Sequence, residues 1–142
     1  MAVPSPEHPL TGACACGAVR LAITAPFESS GYCHCTRCQR RTGGGSSVNA
    51  RVATEAVAIT QGEENLRAWR PEGGKPKWFC VACGGAVFSG DRERDAMLGL
   101  RLGMLDGDPG IRPHYRQWLD SAPVWDAIPD DGLERFGGPR PG

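Results

Sequence analysis

The sequence of 142 residues contains 16 basic and 16 acidic residues, so its formal net charge is zero. This balance provides no overall field that would attract nucleic acid or an anionic membrane surface, and it argues against both as partners. The length fits one domain, since domains typically contain about 100–200 residues. The 20 glycines and 12 prolines favour short strands and turns over a helical bundle.

The N-terminal residues Met1 to Leu10 have neither the basic region nor the apolar region of a secretory signal. No apolar run approaches the roughly 20 residues that cross a bilayer. We therefore expect a cytoplasmic protein in a compartment that keeps thiols reduced. The proline-rich residues 1–9 predict a mobile lead-in, residues 10–137 one domain, and residues 138–142, which are only Gly, Pro and Arg, a frayed tail.

The first predicted element is a strand at Val19, Leu21 and Ile23, which alternate with small or polar residues. Cys35 to Arg41 predicts a helical turn. Further strands are predicted, in chain order, around Val48 and Val52, Val57 and Ile59, Leu66 and Trp69, Trp78 and Phe79, Val87 and Phe88, and the apolar run Met97 to Leu105. Pro123 to Ile128 predicts a second helical turn, and the four tryptophans are expected to pack in the core. The pattern predicts a mainly β fold.

Seven cysteines form three groups, which are Cys14-Ala-Cys16, Cys33-His-Cys35-Thr-Arg-Cys38 and Cys80-Val-Ala-Cys83. A structural zinc site takes four thiolate or imidazole ligands, usually as two close pairs from distant parts of a chain. Cys80 and Cys83, followed by Gly84, are typical of a zinc knuckle. Cys14 and Cys16 share one face of an extended segment, because side chains two residues apart point the same way. The outer groups therefore predict a closed four-cysteine zinc site that stabilises the fold.

The middle group supplies three thiols, those of Cys33, Cys35 and Cys38. Three protein ligands with an exchangeable fourth position are the arrangement of a catalytic zinc, so this group predicts a second, open zinc site. Two alternatives stay open from the residues alone. In one, the middle group shares a metal with an outer group. In the other, it is a redox-active or metal-free thiol cluster.

Polar residues around the middle group are candidates for contact with a ligand. His34 lies between two cysteines that face the metal, so its ring points away in extended geometry, which favours a hydrogen-bonding role over ligation. Arg37, Arg40 and Arg41 either form a solvated face or bind the carboxylates of an acidic substrate through charge-assisted hydrogen bonds. The run from Gly43 to Ser47 predicts a flexible loop.

Three motifs in fixed order carry a family resemblance: Gly12-x-Cys14-x-Cys16-Gly17-x-Val19-Arg20, Cys33-His34-Cys35-x-x-Cys38-x-Arg40-Arg41-x-Gly43 and Phe79-Cys80-x-x-Cys83-Gly84. The ending Arg112-Pro113-His114-Tyr115, Trp125, Ile128, Asp131-Gly132-Leu133 and Phe136 adds to it. Over residues 10–137 the chain resembles the glutathione-dependent formaldehyde-activating enzyme family, which shares its domain with centromere protein V. The resemblance implies an Mss4-like β-tent of short antiparallel strands around two zinc ions.

The resemblance also implies residue roles: a structural zinc on Cys14, Cys16, Cys80 and Cys83, and a catalytic zinc on Cys33, Cys35 and Cys38. The implied activity is addition of glutathione, or another small thiol, to formaldehyde or a similar small aldehyde. The product is S-(hydroxymethyl)glutathione, and the enzyme class is carbon–sulfur lyase, written for the reverse direction. The alternative is a non-catalytic zinc module that binds a protein partner and needs no open metal. A methionine sulfoxide reductase is disfavoured, because no cysteine follows Cys83.

Overall fold

The computed structural model describes residues 3–141. Within them the chain forms one α-helix, α1 (Thr36–Thr42), four 3-10 turns of three residues each, and eleven strands: β1 (Leu10–Ala13), β2 (Arg20–Ile23), β3 (Ser29–Cys33), β4 (Ser47–Ala53), β5 (Val57–Gln61), β6 (Leu66–Trp69), β7 (Lys77–Cys80), β8 (Ala86–Ser89), β9 (Met97–Arg101), β10 (Tyr115–Gln117) and β11 (Glu134–Arg135). The prediction of a mainly β fold is confirmed.

The strands form two sheets. The small sheet has the order β1-β2-β5, and the large sheet has the order β11-β10-β3-β4-β9-β8-β7-β6. Most neighbours are antiparallel, as expected, but β10 runs parallel to both β3 and β11. A bridge between Gly12 and Leu105 connects β1 to the segment that follows β9.

One face of the large sheet is apolar and belongs to the core. Ala50 and Val52 of β4 and Leu98 and Leu100 of β9 are buried, and they pack in one cluster with Leu21 of β2. Successive side chains of a strand point to opposite faces, so the residues between these point away from the core. The large sheet therefore has a second, polar face, on which the candidate site lies.

Of three predicted elements, one is present in the structure and two differ from it. The helical turn at Cys35 to Arg41 is present as α1, which ends before Gly43 in the left-handed conformation (φ 76°). The apolar run Met97 to Leu105 is a strand only to Arg101, and a 3-10 turn (Leu102–Met104) follows it. The prediction of a helical turn at Pro123 to Ile128 is wrong, because no residue of this segment is helical. The segment contains a non-helical turn, in which the N–H of Asp126 donates to the carbonyl of Pro123.

The tryptophans also depart from expectation. Trp78 packs against the core cluster, whereas Trp69, Trp118 and Trp125 are exposed. In the C-terminal tail, the N–H of Arg140 donates to the side chain of Gln117 (2.9 Å), and the fraying of residues 138–142 stays a prediction. Residues 3–9 contain no helix or strand, and residues 1 and 2 of the predicted lead-in lie outside the described residues.

Candidate metal centres and the adjoining cavity

The outer cysteines meet in a four-cysteine cluster, in which the sulfurs of Cys14, Cys16, Cys80 and Cys83 all lie within 4.8 Å of one another. The Sγ atom of Cys16 is 3.7 Å from that of Cys14 and 3.9 Å from that of Cys80. A tetrahedral zinc with Zn–S bonds of about 2.3 Å separates its sulfurs by about 3.8 Å. The donor set and these two spacings therefore fit a zinc ion.

Tight turns at both halves of this cluster direct backbone N–H groups at the sulfurs. Gly17 and Gly84 follow the two cysteine pairs with φ values of 77° and 75°, which other residues rarely adopt. The N–H of Gly85 donates to Sγ of Cys83, and this bond lowers the pKa of Cys83 to about 6. The backbone N–H of Val19, the residue before β2, donates likewise to Sγ of Cys14 (3.2 Å). Such bonds favour the thiolate, which is the form that binds metal.

The middle cysteines form a separate three-cysteine cluster, in which the sulfurs of Cys33, Cys35 and Cys38 lie within 4.8 Å of one another. Cys33 ends β3, and Cys35 caps the N-terminus of α1, where its Sγ accepts a bond from the N–H of Cys38 (3.3 Å). The structure thus does not join the middle group to an outer pair. Among the described residues no fourth Cys, His, Asp or Glu joins these three sulfurs, so a tetrahedral ion held there would have one position free of protein ligands.

A chain of hydrogen bonds, which the sequence analysis missed, runs from β9 to Cys38. The guanidinium of Arg101 donates to Oδ1 of Asn49 (3.0 Å), and Nδ2 of Asn49 donates to Oγ of Ser47 (3.1 Å). The Ser47 hydroxyl then donates to Sγ of Cys38 (3.1 Å). Hydrogen bonds from the thiol of Cys33 and from Ser47 lower the pKa of Cys38 to about 5, whereas sharing its proton with Cys38 raises the pKa of Cys33.

A cavity of about 310 Å³, here called the basic cavity, opens beside the three-cysteine cluster on the polar face of the large sheet. Strand register explains its composition: Arg51 of β4 pairs with Gly99, Gly99 with Ser89, and Ser89 with Lys77. These four residues therefore form a row across β4, β9, β8 and β7 on one face. The lining also includes Cys33, Cys38, Asn49, Arg101 and Gln117.

The arginines singled out from the sequence lie elsewhere. Arg37, Arg40 and Arg41 line a neighbouring cavity of about 470 Å³ beside α1, together with the exposed Trp69. The guanidinium of Arg37 stands 5.8 Å from the ring centre of Trp69. None of the three lines the basic cavity. Their contact with a substrate stays a prediction.

His34 makes a hydrogen-bonding contact rather than a metal contact. The ring is buried, and its Nε2 lies 3.3 Å from the guanidinium of Arg116. Arg116 in turn binds the carboxylate of Asp131 (2.7 Å) and stacks on Tyr32. Burial, and then the charge of Arg116, lower the pKa of His34. The histidine therefore helps to hold β3 against β10, in agreement with the role expected from its position between two cysteines.

A mainly β domain with a four-cysteine and a three-cysteine cluster, each able to hold a metal ion, defines a small metal-binding protein. A family model described as glutathione-dependent formaldehyde-activating enzyme matches residues 9–121, a range that includes all seven cysteines. The chain belongs to the glutathione-dependent formaldehyde-activating enzyme family. The resemblance noted over residues 122–137 lies outside the matched range.

A solved structure shares the fold. The crystal structure of a Rhodobacter sphaeroides protein is similar with a TM-score of 0.58 and 22% sequence identity, over 89% of this chain and 98% of that chain. At this identity the similarity concerns the fold alone. The comparison with curated proteins gives no match. In residues 3–141 no helix combines the length and the apolar character needed to span a bilayer.

Proposed function

We propose that the protein is a zinc-dependent enzyme that adds a small thiol, such as glutathione, to formaldehyde or a similar small aldehyde. Family membership supports this, and one observation carries it: the second cluster offers three thiols and borders a cavity instead of being closed by a fourth protein ligand. A zinc ion bound there would offer an exchangeable position at which a substrate thiol is stabilised as the thiolate near neutral pH.

In the proposed reaction, the thiol sulfur forms a bond to the carbonyl carbon, and the carbonyl oxygen takes up the proton that the thiol loses. With glutathione and formaldehyde the product is S-(hydroxymethyl)glutathione, so the enzyme is a carbon–sulfur lyase in the reverse direction. Cys33, Cys35 and Cys38 act as the ligands of the catalytic zinc. Ser47 fixes the Cys38 sulfur by its hydrogen bond, which keeps the geometry ready for the substrate.

The other cysteines have a structural role in this proposal. Cys14, Cys16, Cys80 and Cys83 hold a second zinc ion that joins the β1–β2 turn to the β7–β8 turn. Arg37, Arg40 and Arg41 are proposed, from their positions around the middle cysteines, to bind carboxylates of glutathione. Both clusters require reduced thiols, so we expect the protein to act in the cytosol.

Metal analysis combined with thiol titration, before and after addition of glutathione, tests the proposal. We expect two zinc ions per chain, of which glutathione perturbs one, and formation of S-(hydroxymethyl)glutathione detectable by NMR. Cys35→Ser should abolish thiol binding while the four-cysteine cluster keeps its metal. One inert zinc with three titratable thiols, or unchanged glutathione binding in Cys35→Ser, would contradict the enzyme and favour the non-catalytic zinc module.

A further inference from the structure

The basic cavity carries positive charge that no neighbouring carboxylate neutralises. Arg51, Lys77 and Arg101 line it, and within residues 3–141 none of them forms an ion pair. Among the described residues, Asp95 is the one acidic residue in the lining, and it is bound by Lys75. We infer that Arg51, Lys77 and Arg101 form a subsite for the carboxylate of an anionic small thiol, which rests on the proposed function.

Lys77 would be stabilised in its charged form by such a ligand. It is partly buried at the start of β7, and burial lowers the pKa of its ammonium group, as does the charge of Arg101. Removing a cation from water costs free energy unless a partner compensates. A bound carboxylate would supply that partner and would offset the free-energy cost of keeping the Lys77 ammonium charged in the cavity.

Arg101 is already oriented for a second partner. One of its guanidinium nitrogens donates to Asn49 (3.0 Å), which holds the group in the cavity wall. A guanidinium has five N–H donors, so others stay available for a carboxylate. Through Asn49 and Ser47, the same arginine is linked by hydrogen bonds to Sγ of Cys38. The subsite therefore adjoins the sulfur cluster, as a ligand that carries both a thiol and a carboxylate requires.

Gly99 leaves the floor of the cavity open. A Cβ atom placed on Gly99 would meet nothing within 4 Å, although this residue lies in a central strand between Arg51 and Ser89. Neither packing nor backbone conformation therefore requires a glycine at this position. Its effect is to leave room in the row of residues that leads from Arg51 to Lys77.

Position distinguishes this subsite from the arginines proposed from the sequence. Arg37, Arg40 and Arg41 line the cavity beside α1, and Arg37 also lines a further cavity with Cys35, whereas the basic cavity is lined by Cys33 and Cys38. A short thiol whose sulfur reaches the cluster from the basic cavity has its carboxylate within that same space. Glutathione has two carboxylates, and we assign its glycyl carboxylate to Arg51, Lys77 and Arg101. This narrows the proposed role of Arg37, Arg40 and Arg41 to the γ-glutamyl carboxylate.

Calorimetric titration of the zinc-loaded full chain tests the assignment with three probes: glutathione, its glycyl monoethyl ester and uncharged 2-mercaptoethanol. Lys77→Met should weaken glutathione binding by about tenfold or more, since it removes a hydrogen bond to a charged group. Binding of the glycyl monoethyl ester, which lacks that carboxylate, and binding of 2-mercaptoethanol should not change. Arg94→Met is the matched control, because it removes an exposed cation (side chain 86% exposed) outside the basic cavity, and it should bind glutathione as the unmodified protein does.

Gly99→Val provides an independent test, since valine favours strands and would occupy the open floor. We expect it to reduce glutathione binding while the melting temperature and the zinc content stay unchanged. If both variants bind glutathione normally, or if Arg94→Met loses as much affinity as Lys77→Met, the subsite is wrong although thiol binding stands. If neither glutathione nor 2-mercaptoethanol binds the unmodified protein, the proposed function itself fails.

Discussion

Ser47→Ala should weaken metal binding at the three-cysteine cluster without affecting the four-cysteine cluster. The Ser47 hydroxyl donates to Sγ of Cys38 at 3.1 Å and accepts from Asn49 at the same distance. It therefore connects the metal-binding sulfur to Arg101, which anchors the chain of hydrogen bonds on β9. Alanine removes the donor to the sulfur and leaves the amide of Asn49 without its acceptor.

The size of the effect follows from the burial of the hydroxyl. Ser47 is only 4% exposed, so water has little access to replace the lost donor. A hydrogen bond to a charged group contributes about 1.5–3 kcal/mol, and loss of a residue that orients a metal ligand typically costs about 10- to 100-fold in metal affinity. We expect zinc affinity at the three-cysteine cluster to fall by about this factor.

Competition between the protein and a chromophoric zinc chelator measures the zinc affinities of the two clusters as separate phases. The four-cysteine cluster serves as an internal control for folding, and Ser47→Thr, which keeps the hydroxyl, should restore the affinity. Equal weakening of both phases would show general damage to the fold. No weakening of either would show that the bond to Cys38 does not support the metal site.

Three further predictions concern stability. Cys80→Ser should lower the melting temperature far more than Cys35→Ser, since structural zinc contributes about 10–16 kcal/mol of binding free energy, comparable to the whole stability of a small domain; similar losses in both variants would contradict the division of roles. Leu100→Ala, at a fully buried position, should cost about 2–5 kcal/mol in urea unfolding, and a loss well below that range would contradict the assigned core. The hydrogen bond from Arg116 lowers the pKa of Asp131, so its contribution is present above the unfolded pKa and is lost as pH falls below about 4. Asp131→Asn should therefore show a smaller drop in melting temperature over that acid range than the unmodified protein, and identical pH profiles would count against this pair.

The grouping of the cysteines could be predicted because short spacings determine it. Cys33, Cys35 and Cys38 need only the end of one strand and the first turn of α1 to bring their sulfurs together. The outer pairs need one long-range contact. Two close pairs of thiols predict that contact without knowledge of the strand order, because a structural zinc takes four such ligands. Local alternation likewise predicted β2, and the apolar run that begins at Met97 predicted β9.

The basic cavity could not be predicted, because its residues are far apart in the chain and meet through sheet order. Arg51, Gly99 and Lys77 share a face only because β4, β9, β8 and β7 are neighbours in that order. No local pattern encodes this order. The prediction from sequence turned instead to Arg37, Arg40 and Arg41, which are near the middle cysteines along the chain but face another cavity.

This contrast separates two properties of the candidate site. Its metal-binding chemistry depends on cysteines that a short segment supplies, so a related sequence can keep the motif while its sheet changes. The selectivity that we propose depends on residues of β4, β7 and β9, which line one cavity with Cys33 and Cys38 only because of the strand order and register. Two chains with the same cysteine motifs can therefore bind zinc alike and still take different thiols, and the residues to compare between them are those at positions 51, 77, 99 and 101.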